Sequence, residues 1–219
     1  MKQFYEKFFA RQLGKPTGLF GRLYMKQFLN TGNQRSNELA LKHLQMLPSD
    51  RVLEIGFGGG WLIQRLAEFA TQGKVVGLDH SKSMVKSARR QFRHHDNKIE
   101  FLYGSAENLP FQSQSFSRVC TVHTIYFWKD PKRVVGEIYR VLQPGGTVVI
   151  GLHSKAKLET QSLTRHTFML YKPHDVVELL SSCSFENVTL HSYDLDEWED
   201  NHCIVAHRPF ESLGGSAAR

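Results

Sequence analysis

The stretch Arg51-Val-Leu-Glu-Ile-Gly-Phe-Gly-Gly-Gly60 decides the fold of this chain, because an apolar, β-branched run leads directly into a glycine-rich turn. An apolar helical pattern follows the turn. Glycine tolerates positive φ and lets a ligand lie against the backbone, so we predict a strand, a ligand-binding bend and a helix. Asp79 ends the next strand-like run, where βαβ nucleotide folds place the acid that binds ribose hydroxyls.

The residues around the bend indicate what kind of nucleoside it would bind. A dinucleotide-binding turn needs a small residue where this chain has Trp61, so a pyrophosphate fits poorly. Glu54 adds a negative charge at the mouth of the bend, which repels phosphate and attracts a cation. S-adenosylmethionine (SAM) carries an ammonium, a sulfonium and a ribose diol but no phosphate, so its chemistry matches these residues.

Four motifs in order resemble those of the class I SAM-dependent methyltransferases, within them the methyltransferase type 11 or ubiquinone/menaquinone-biosynthesis-like enzymes. The resemblance covers roughly residues 36 to 208. Glu54–Gly60 is similar to E/D-x-G-x-G-x-G, and Gly77–Ser81 with Met84 to the ribose-binding strand end. Gly104–Phe111 is similar to G-D-A-x-x-L-P-F, and Arg140–Thr147 to R-x-L-x-P-G-G.

The resemblance implies a set of cofactor-binding residues for SAM and its product S-adenosylhomocysteine (SAH). They are Glu54, Gly56, Gly58, Gly60, Asp79, His80, Met84, Ser105, Ala106, Glu107 and His123. Ser105 departs from the family pattern, which has an Asp that accepts a hydrogen bond from the adenine amino group. A neutral acceptor is weaker than a charged one by about 1 kcal/mol, so we expect a weaker adenine contact and retained binding.

Strand-like and helical runs alternate from residue 51 onward. The strand-like runs are 52–55, 74–78, 99–103, 117–122, 147–152, 187–192 and 202–207. Alternation of this kind predicts a Rossmann-like, doubly wound, mostly parallel seven-stranded sheet. The last two runs are joined by too few residues for a crossover helix, so we expect an antiparallel hairpin at the C-terminal end.

Composition agrees with one catalytic domain of 219 residues that buries a full core. We predict a helical leader over 1–50, a SAM-binding methyltransferase domain over 51–210 and a disordered, Gly/Ser/Ala-rich tail over 211–219. Three cysteines without a C-x-x-C pair indicate neither a disulfide framework nor a zinc site, and no metal is expected. The sequence shows no signal peptide or long apolar run, so a cytoplasmic location is expected.

The leader carries eight Lys and Arg against three acids, so it supplies 8 − 3 = +5 of the net charge of +7. Aromatic residues interleave with this charge, which predicts short amphipathic helices. In the family such a leader commonly covers the substrate pocket, so we expect a lid in which Phe20 and Tyr24 contact substrate. A plain pair of packing helices is an equal alternative, and peripheral membrane contact is a weaker one. No nucleic-acid partner is expected, because no RNA-binding module is visible.

The family reaction is an in-line displacement that moves a methyl group from SAM to a small-molecule acceptor. Catalysis then depends mainly on positioning in a water-poor pocket. A general base is needed only if the acceptor loses a proton, and His123, at the carboxyl end of a predicted strand, is the leading candidate, followed by His153. Tyr126 and Trp128 are candidate walls of the acceptor pocket, with core packing as the alternative.

Two other functional classes compete with this interpretation. An NAD(P)-dependent oxidoreductase would use the same type of sheet, although Trp61 disfavours it. A non-catalytic SAM-binding regulatory protein would bind the cofactor and transfer nothing. We expect a monomer or a homodimer, and the acceptor atom (carbon, nitrogen, oxygen or sulfur) is open at this point.

Overall fold

The computed structural model describes residues 2–18, 24–95, 98–194 and 200–211. Within these ranges the leader contains the helices α1 (Lys2–Gly14), α2 (Lys26–Gly32) and α3 (Gln34–Leu44). The predicted contact residue Phe20, the acidic connection 195–199 and residues 212–219 of the predicted tail lie outside the described residues.

From residue 51 strands and helices alternate as predicted. The strands are β1 (Arg51–Ile55), β2 (Lys74–Asp79), β3 (Ile99–Tyr103), β4 (Phe116–Val122), β5 (Leu142–Leu152), β6 (Glu186–Asp194) and β7 (Asp200–His207). The helices are α4 (Trp61–Phe69), α5 (Lys82–Gln91), α6 (Pro131–Val141), α7 (Lys155–Glu159) and α8 (Pro173–Ser182). Two 3₁₀ turns cover Ile125–Phe127 and Ser162–Arg165.

The seven strands form one sheet in the order β3-β2-β1-β4-β5-β7-β6. Neighbouring strands from β3 to β5 are parallel, and β7 pairs antiparallel with both β5 and β6. The predicted fold class and the C-terminal hairpin are therefore confirmed. The strand order reverses between β1 and β4, and in open α/β sheets ligands bind at such a switch point, beyond the carboxyl ends of the strands.

Side chains of each central strand alternate between two apolar cores, one on each face of the sheet. Leu53 and Ile55 of β1 join the core that contains Val148 and Ile150, whereas Val52 joins the other core. This arrangement covers both faces of the parallel strands and fixes their register. The two packed cores therefore hold the strand ends that carry polar residues in fixed positions.

Two local predictions need correction. Strand β5 begins at Leu142 and not at Thr147, because Leu142 pairs with Phe116 and the Gly145 N–H donates to the Arg208 carbonyl at 2.9 Å. The apolar helical pattern Leu62, Ile63, Leu66, Phe69 and Ala70 predicts a buried Phe69, but its side chain is 47% exposed. The buried face of α4 consists of Leu62, Ile63, Leu66 and Ala67.

Candidate functional site

The glycine bend after β1 adopts backbone conformations that L-residues avoid. Gly56 and Gly58 have φ of 75° and 50°, which lie in the left-handed region that favours glycine. The Gly56 N–H donates to the Leu78 carbonyl at 2.7 Å, and the Gly58 N–H donates to Asp79 Oδ2 at 3.1 Å. The bend is thereby fixed to the end of β2.

Gly59 is required for a different reason, which lies in the leader. A Cβ at this position would stand 1.9 Å from Asn30 Oδ1 and 2.7 Å from the Lys26 carbonyl oxygen. Helix α2 therefore packs directly on the bend. Part of the space beside the glycines, which the sequence predicts for a ligand, is therefore occupied by the leader.

Two acidic side chains stand at adjacent strand ends, as predicted. Glu54 of β1 lies opposite Gly77 of β2, two residues before Asp79. Both side chains are buried, with Glu54 4% and Asp79 5% exposed. Asp79 accepts hydrogen bonds from the Gly58 and Ser81 N–H groups, at 3.1 and 2.8 Å. Glu54 Oε2 is buried and has no hydrogen-bond donor among the described residues.

Burial and mutual repulsion change the acidity of this pair. Burial, followed by the nearby charge of Asp79, raises the pKa of Glu54 to about 8. Burial also raises the pKa of Asp79, although its bonds from Ser81 and Gly58 oppose that shift. Glu54 is accordingly protonated at pH 7 before any ligand binds. A buried carboxyl oxygen without a donor is costly, so this site favours a ligand that brings a cation or a hydrogen-bond donor.

A cavity of about 730 Å³ opens beyond the carboxyl ends of β1 to β4. This volume lies in the range typical of small-molecule sites. Its walls combine the glycine bend, the strand ends, the leader and the 153–168 segment. Aromatic side chains that line it include Phe28, Trp61, Phe127, Trp128 and Phe168.

Most of the predicted site residues line this cavity. They are Glu54, Gly56, Gly58, Asp79, His80, Ser105, Ala106, Glu107, His123, Tyr126, Trp128 and His153. The Ser105 hydroxyl, which replaces the family's Asp, accepts the Glu107 N–H at 3.3 Å. Part of its acceptor capacity is therefore used within its own turn.

Three predicted residues lie elsewhere. Met84 is 1% exposed and packs in a sheet core, because it belongs to the buried face of α5. Gly60 precedes the first residue of α4, and a Cβ there would meet Phe92 instead of the cavity. Tyr24 is not among the lining residues; it is 52% exposed and its ring stacks on Phe28, with the centroids 6.4 Å apart.

Several residues that line the cavity were not predicted from the sequence. The leader contributes Leu13–Pro16 and three amides, Asn30, Asn33 and Asn37, and the 153–168 segment adds Leu158, Gln161, Leu163 and Phe168. The asparagines recur every three or four residues, a helical spacing that could have indicated a shared polar face. The residues of the 153–168 segment show no such helical spacing.

A cluster of two histidines and a tyrosine also lines the cavity. The rings of His123 and His153 stack with centroids 4.3 Å apart. Tyr126 Oη accepts the backbone N–H of His153 at 2.6 Å, donates to the His153 carbonyl oxygen at 3.3 Å and lies 3.2 Å from His123 Nδ1. Burial lowers the pKa of both histidines and raises that of Tyr126, so all three side chains are neutral at pH 7.

Comparison with known proteins finds similarity to methyltransferases. Residues 53–150 match the family model described as a methyltransferase domain. This match covers a little under half of the chain. Together with the four motifs in order, it shows that the chain is similar to the class I SAM-dependent methyltransferases. The chain is an enzyme that uses SAM, and the oxidoreductase alternative is not favoured.

Relatives of this methyltransferase extend the match at moderate identity. It is 28% identical to the uncharacterized methyltransferase YdaC of Bacillus subtilis over 123 residues, 56% of this chain and 67% of YdaC. It is 36% identical to the demethylmenaquinone methyltransferase of Lactococcus lactis over 111 residues, 50% of this chain but only 44% of that protein. The chain therefore spans less than half the length of this second relative.

Solved structures share the fold of the methyltransferase. A chain from the complex of the Haloferax volcanii Trm112 methyltransferase activator with a methyltransferase aligns with a TM-score of 0.74 at 22% identity, covering 85% of this chain and 94% of that one. A SAM-dependent methyltransferase from Aquifex aeolicus aligns with a TM-score of 0.69 at 18% identity, covering 83% and 96%. At these identities the likeness concerns the fold.

Two further observations bear on partners. No helix in the described parts of the chain is both long and apolar enough to cross a membrane. Residues 2–18, 24–95, 98–194 and 200–211 contain no cluster of three His, Cys, Asp or Glu side chains that could hold a metal ion.

Proposed function

We propose that this enzyme transfers the methyl group of SAM to a small organic acceptor by in-line displacement. One observation carries the proposal: a single cavity joins the buried Glu54–Asp79 pair to the cluster of His123, Tyr126 and His153. The carboxylate pair suits a cationic nucleoside. The cluster offers neutral polar groups among aromatic walls, which suits an uncharged organic molecule.

The residues around the carboxylates fit the cofactor. Asp79 would accept hydrogen bonds from the ribose diol, since its carboxylate lies at the end of β2 beside the glycine bend. Glu54 Oε2, which has no donor among the described residues, would accept one from the ammonium group. The segment Ser105–Glu107 would contact adenine. When bound, SAM supplies a methyl group on a positively charged sulfur.

The chain's own contribution to the rate is positioning and exclusion of water. An in-line displacement needs the acceptor held close to the methyl carbon, and effective molarity from such positioning is worth about 7–11 kcal/mol. Phe28, Phe127, Trp128 and Phe168 form rigid walls that would hold an organic acceptor. A dry cavity also prevents competition from water.

We also propose that the leader, residues 1–50, acts as a lid over this cavity. The leader contacts the first two of the four motifs. Helix α2 packs on Gly59, and the Pro16 carbonyl accepts hydrogen bonds from the Ser81 and Ser83 hydroxyls at 2.5 and 2.6 Å. Ser81 begins the helix that follows Asp79. Closure of the leader would therefore be coupled to an ordered cofactor site.

Transfer of label from methyl-tritiated SAM tests the proposed function. The full chain is incubated with a metabolite extract, and labelled products are separated by solvent extraction and chromatography. We expect label in a small-molecule fraction with the wild type and none with Asp79→Ala. A wild type that binds SAH but labels no fraction would favour a non-catalytic SAM-binding protein instead.

A further inference from the structure

The hydrogen bonds of His153 decide which of its ring nitrogens carries the proton. Its Nδ1 contacts the backbone carbonyl oxygen of Asp200. A carbonyl oxygen only accepts, so Nδ1 must donate. At neutral charge the ring then has its lone pair on Nε2, which makes no hydrogen bond with any described residue. His153 lines the cavity.

His123, the leading candidate from the sequence, is arranged differently. Its Nε2 lies 2.8 Å from Ser36 Oγ, and that hydroxyl donates to Asn201 Oδ1. Nε2 must therefore carry the proton that Ser36 accepts. The other nitrogen, Nδ1, faces the Tyr126 hydroxyl at 3.2 Å. Protein groups face both nitrogens of His123, and the Tyr126 hydroxyl that faces Nδ1 also donates to the His153 carbonyl oxygen at 3.3 Å. The His123 ring is therefore less open to a substrate than that of His153.

We propose that His153 Nε2 is the general base of the methyl transfer, a proposal that rests on the methyl-transfer function proposed above. The acceptor atom, which bears a hydrogen, forms a bond to the methyl carbon. The S–CH₃ bond breaks and its electron pair stays on sulfur, which becomes a neutral thioether. The proton of the acceptor passes to Nε2, so the positive charge of the sulfonium ends on the imidazolium.

The groups around His153 suit this exchange of charge. Burial lowers its pKa, so the ring is neutral and ready to accept a proton at pH 7. The Asp200 carboxylate is held by the Ser154 N–H at 3.3 Å and by His202, and it would stabilise the imidazolium. Lys157, His202 and the stacked ring of His123 oppose that stabilisation. Asp200 is thus a positioning residue, which acts through its carbonyl oxygen and its charge.

If His153 takes up a proton, the acceptor atom must bear a hydrogen, as in a hydroxyl, an N–H group, a thiol or an acidic C–H group. A tertiary amine or a thioether has no proton to lose and would gain nothing from a base at this position. The Asn37 amide, which also lines the cavity, offers a further polar contact for such an acceptor.

Nitrogen NMR tests the tautomer without any substrate. Long-range ¹H–¹⁵N correlation spectra of the full chain with SAH, at a pH where both rings are neutral, report which nitrogen of each histidine is protonated. Signals are assigned from His153→Gln and His123→Gln. We expect an Nδ1–H tautomer for His153 and an Nε2–H tautomer for His123. An Nε2–H tautomer for His153 would overturn the proposal.

Label transfer then tests the base itself. With the extract fraction that accepts label, His153→Gln should slow transfer by about 100-fold or more, while SAH affinity changes little. His174→Gln, at an exposed position, is the matched control and should behave as wild type. Transfer by His153→Gln at the wild-type rate would contradict a base role. Failure of the wild type to bind SAH would instead contradict the proposed function. The histidine tautomers read from the NMR spectra do not depend on that result, so the two failures are distinguishable.

Discussion

Replacing Glu54 by glutamine should stabilise the free enzyme while weakening its cofactor site. Glu54 is 4% exposed, its Oε2 has no donor among the described residues, and burial raises its pKa from 4.5 to about 8. Glutamine keeps the shape of the protonated side chain and cannot ionise. The substitution therefore removes the pH-dependent cost of keeping this group uncharged in the folded state.

The size of the effect follows from the two pKa values of Glu54. Below pH 4.5 the carboxyl is protonated in both the folded and the unfolded chain, so wild type and Glu54→Gln should differ little. As the pH rises from 4.5 to about 8, Glu54 ionises in the unfolded chain but stays protonated in the folded one. The free energy of unfolding of the wild type therefore falls over this interval. At pH 7 the decrease is about 3 kcal/mol, at roughly 1.4 kcal/mol for each tenfold change in proton concentration.

Urea unfolding near pH 4.5 and at pH 7 measures this difference directly. The free energy of unfolding of Glu54→Gln, relative to wild type, should rise by about 2–3 kcal/mol between the two conditions. Glu178→Gln on an exposed position is the control and should show no such rise. A Glu54→Gln difference that is independent of pH would refute the buried, protonated carboxyl.

The same variant should bind SAH about 10- to 100-fold more weakly, because a charged hydrogen bond is lost.

Further predictions concern the leader, the ribose contact and the base. Gly59→Ala should detach helix α2 from the bend and lower the free energy of unfolding by about 1–3 kcal/mol, measured by urea unfolding. Asp79→Asn should weaken SAH binding at least about tenfold in isothermal titration, and unchanged affinity would remove its ribose role. Joint replacement of Ser81 and Ser83 by alanine should speed proteolysis within the leader, because both hydroxyls donate to the Pro16 carbonyl oxygen. An unchanged cleavage rate would contradict this anchoring of the leader. The transfer rate should fall as the pH drops through the lowered pKa of His153, because its imidazole must be neutral to accept a proton.

Local sequence patterns were sufficient for the sheet and for the cofactor motifs. Every predicted strand occurs, and β1 and β2 bring Glu54 and Asp79 to adjacent strand ends. These features depend on hydrophobic periodicity and on backbone conformation, which are encoded within a few residues. The same reasoning placed Met84 at the cofactor, whereas its side chain turns into the core on the buried face of α5.

Long-range contacts account for what the sequence could not predict. The packing of α2 on Gly59 joins two segments about 30 residues apart, and no local sequence pattern predicts this contact. The distinct protonation of His123 and His153 depends on Ser36 and on the Asp200 carbonyl, which come from the leader and the last strand. Both histidines follow a strand in the same way, so only the fold separates their roles.

A crystal structure of the enzyme with SAH would test the central claim most directly. We predict the nucleoside at the glycine bend, with its ribose diol within hydrogen-bond distance of Asp79 and its ammonium at Glu54 Oε2. SAH bound outside the bend, or with neither carboxylate in contact, would contradict the account.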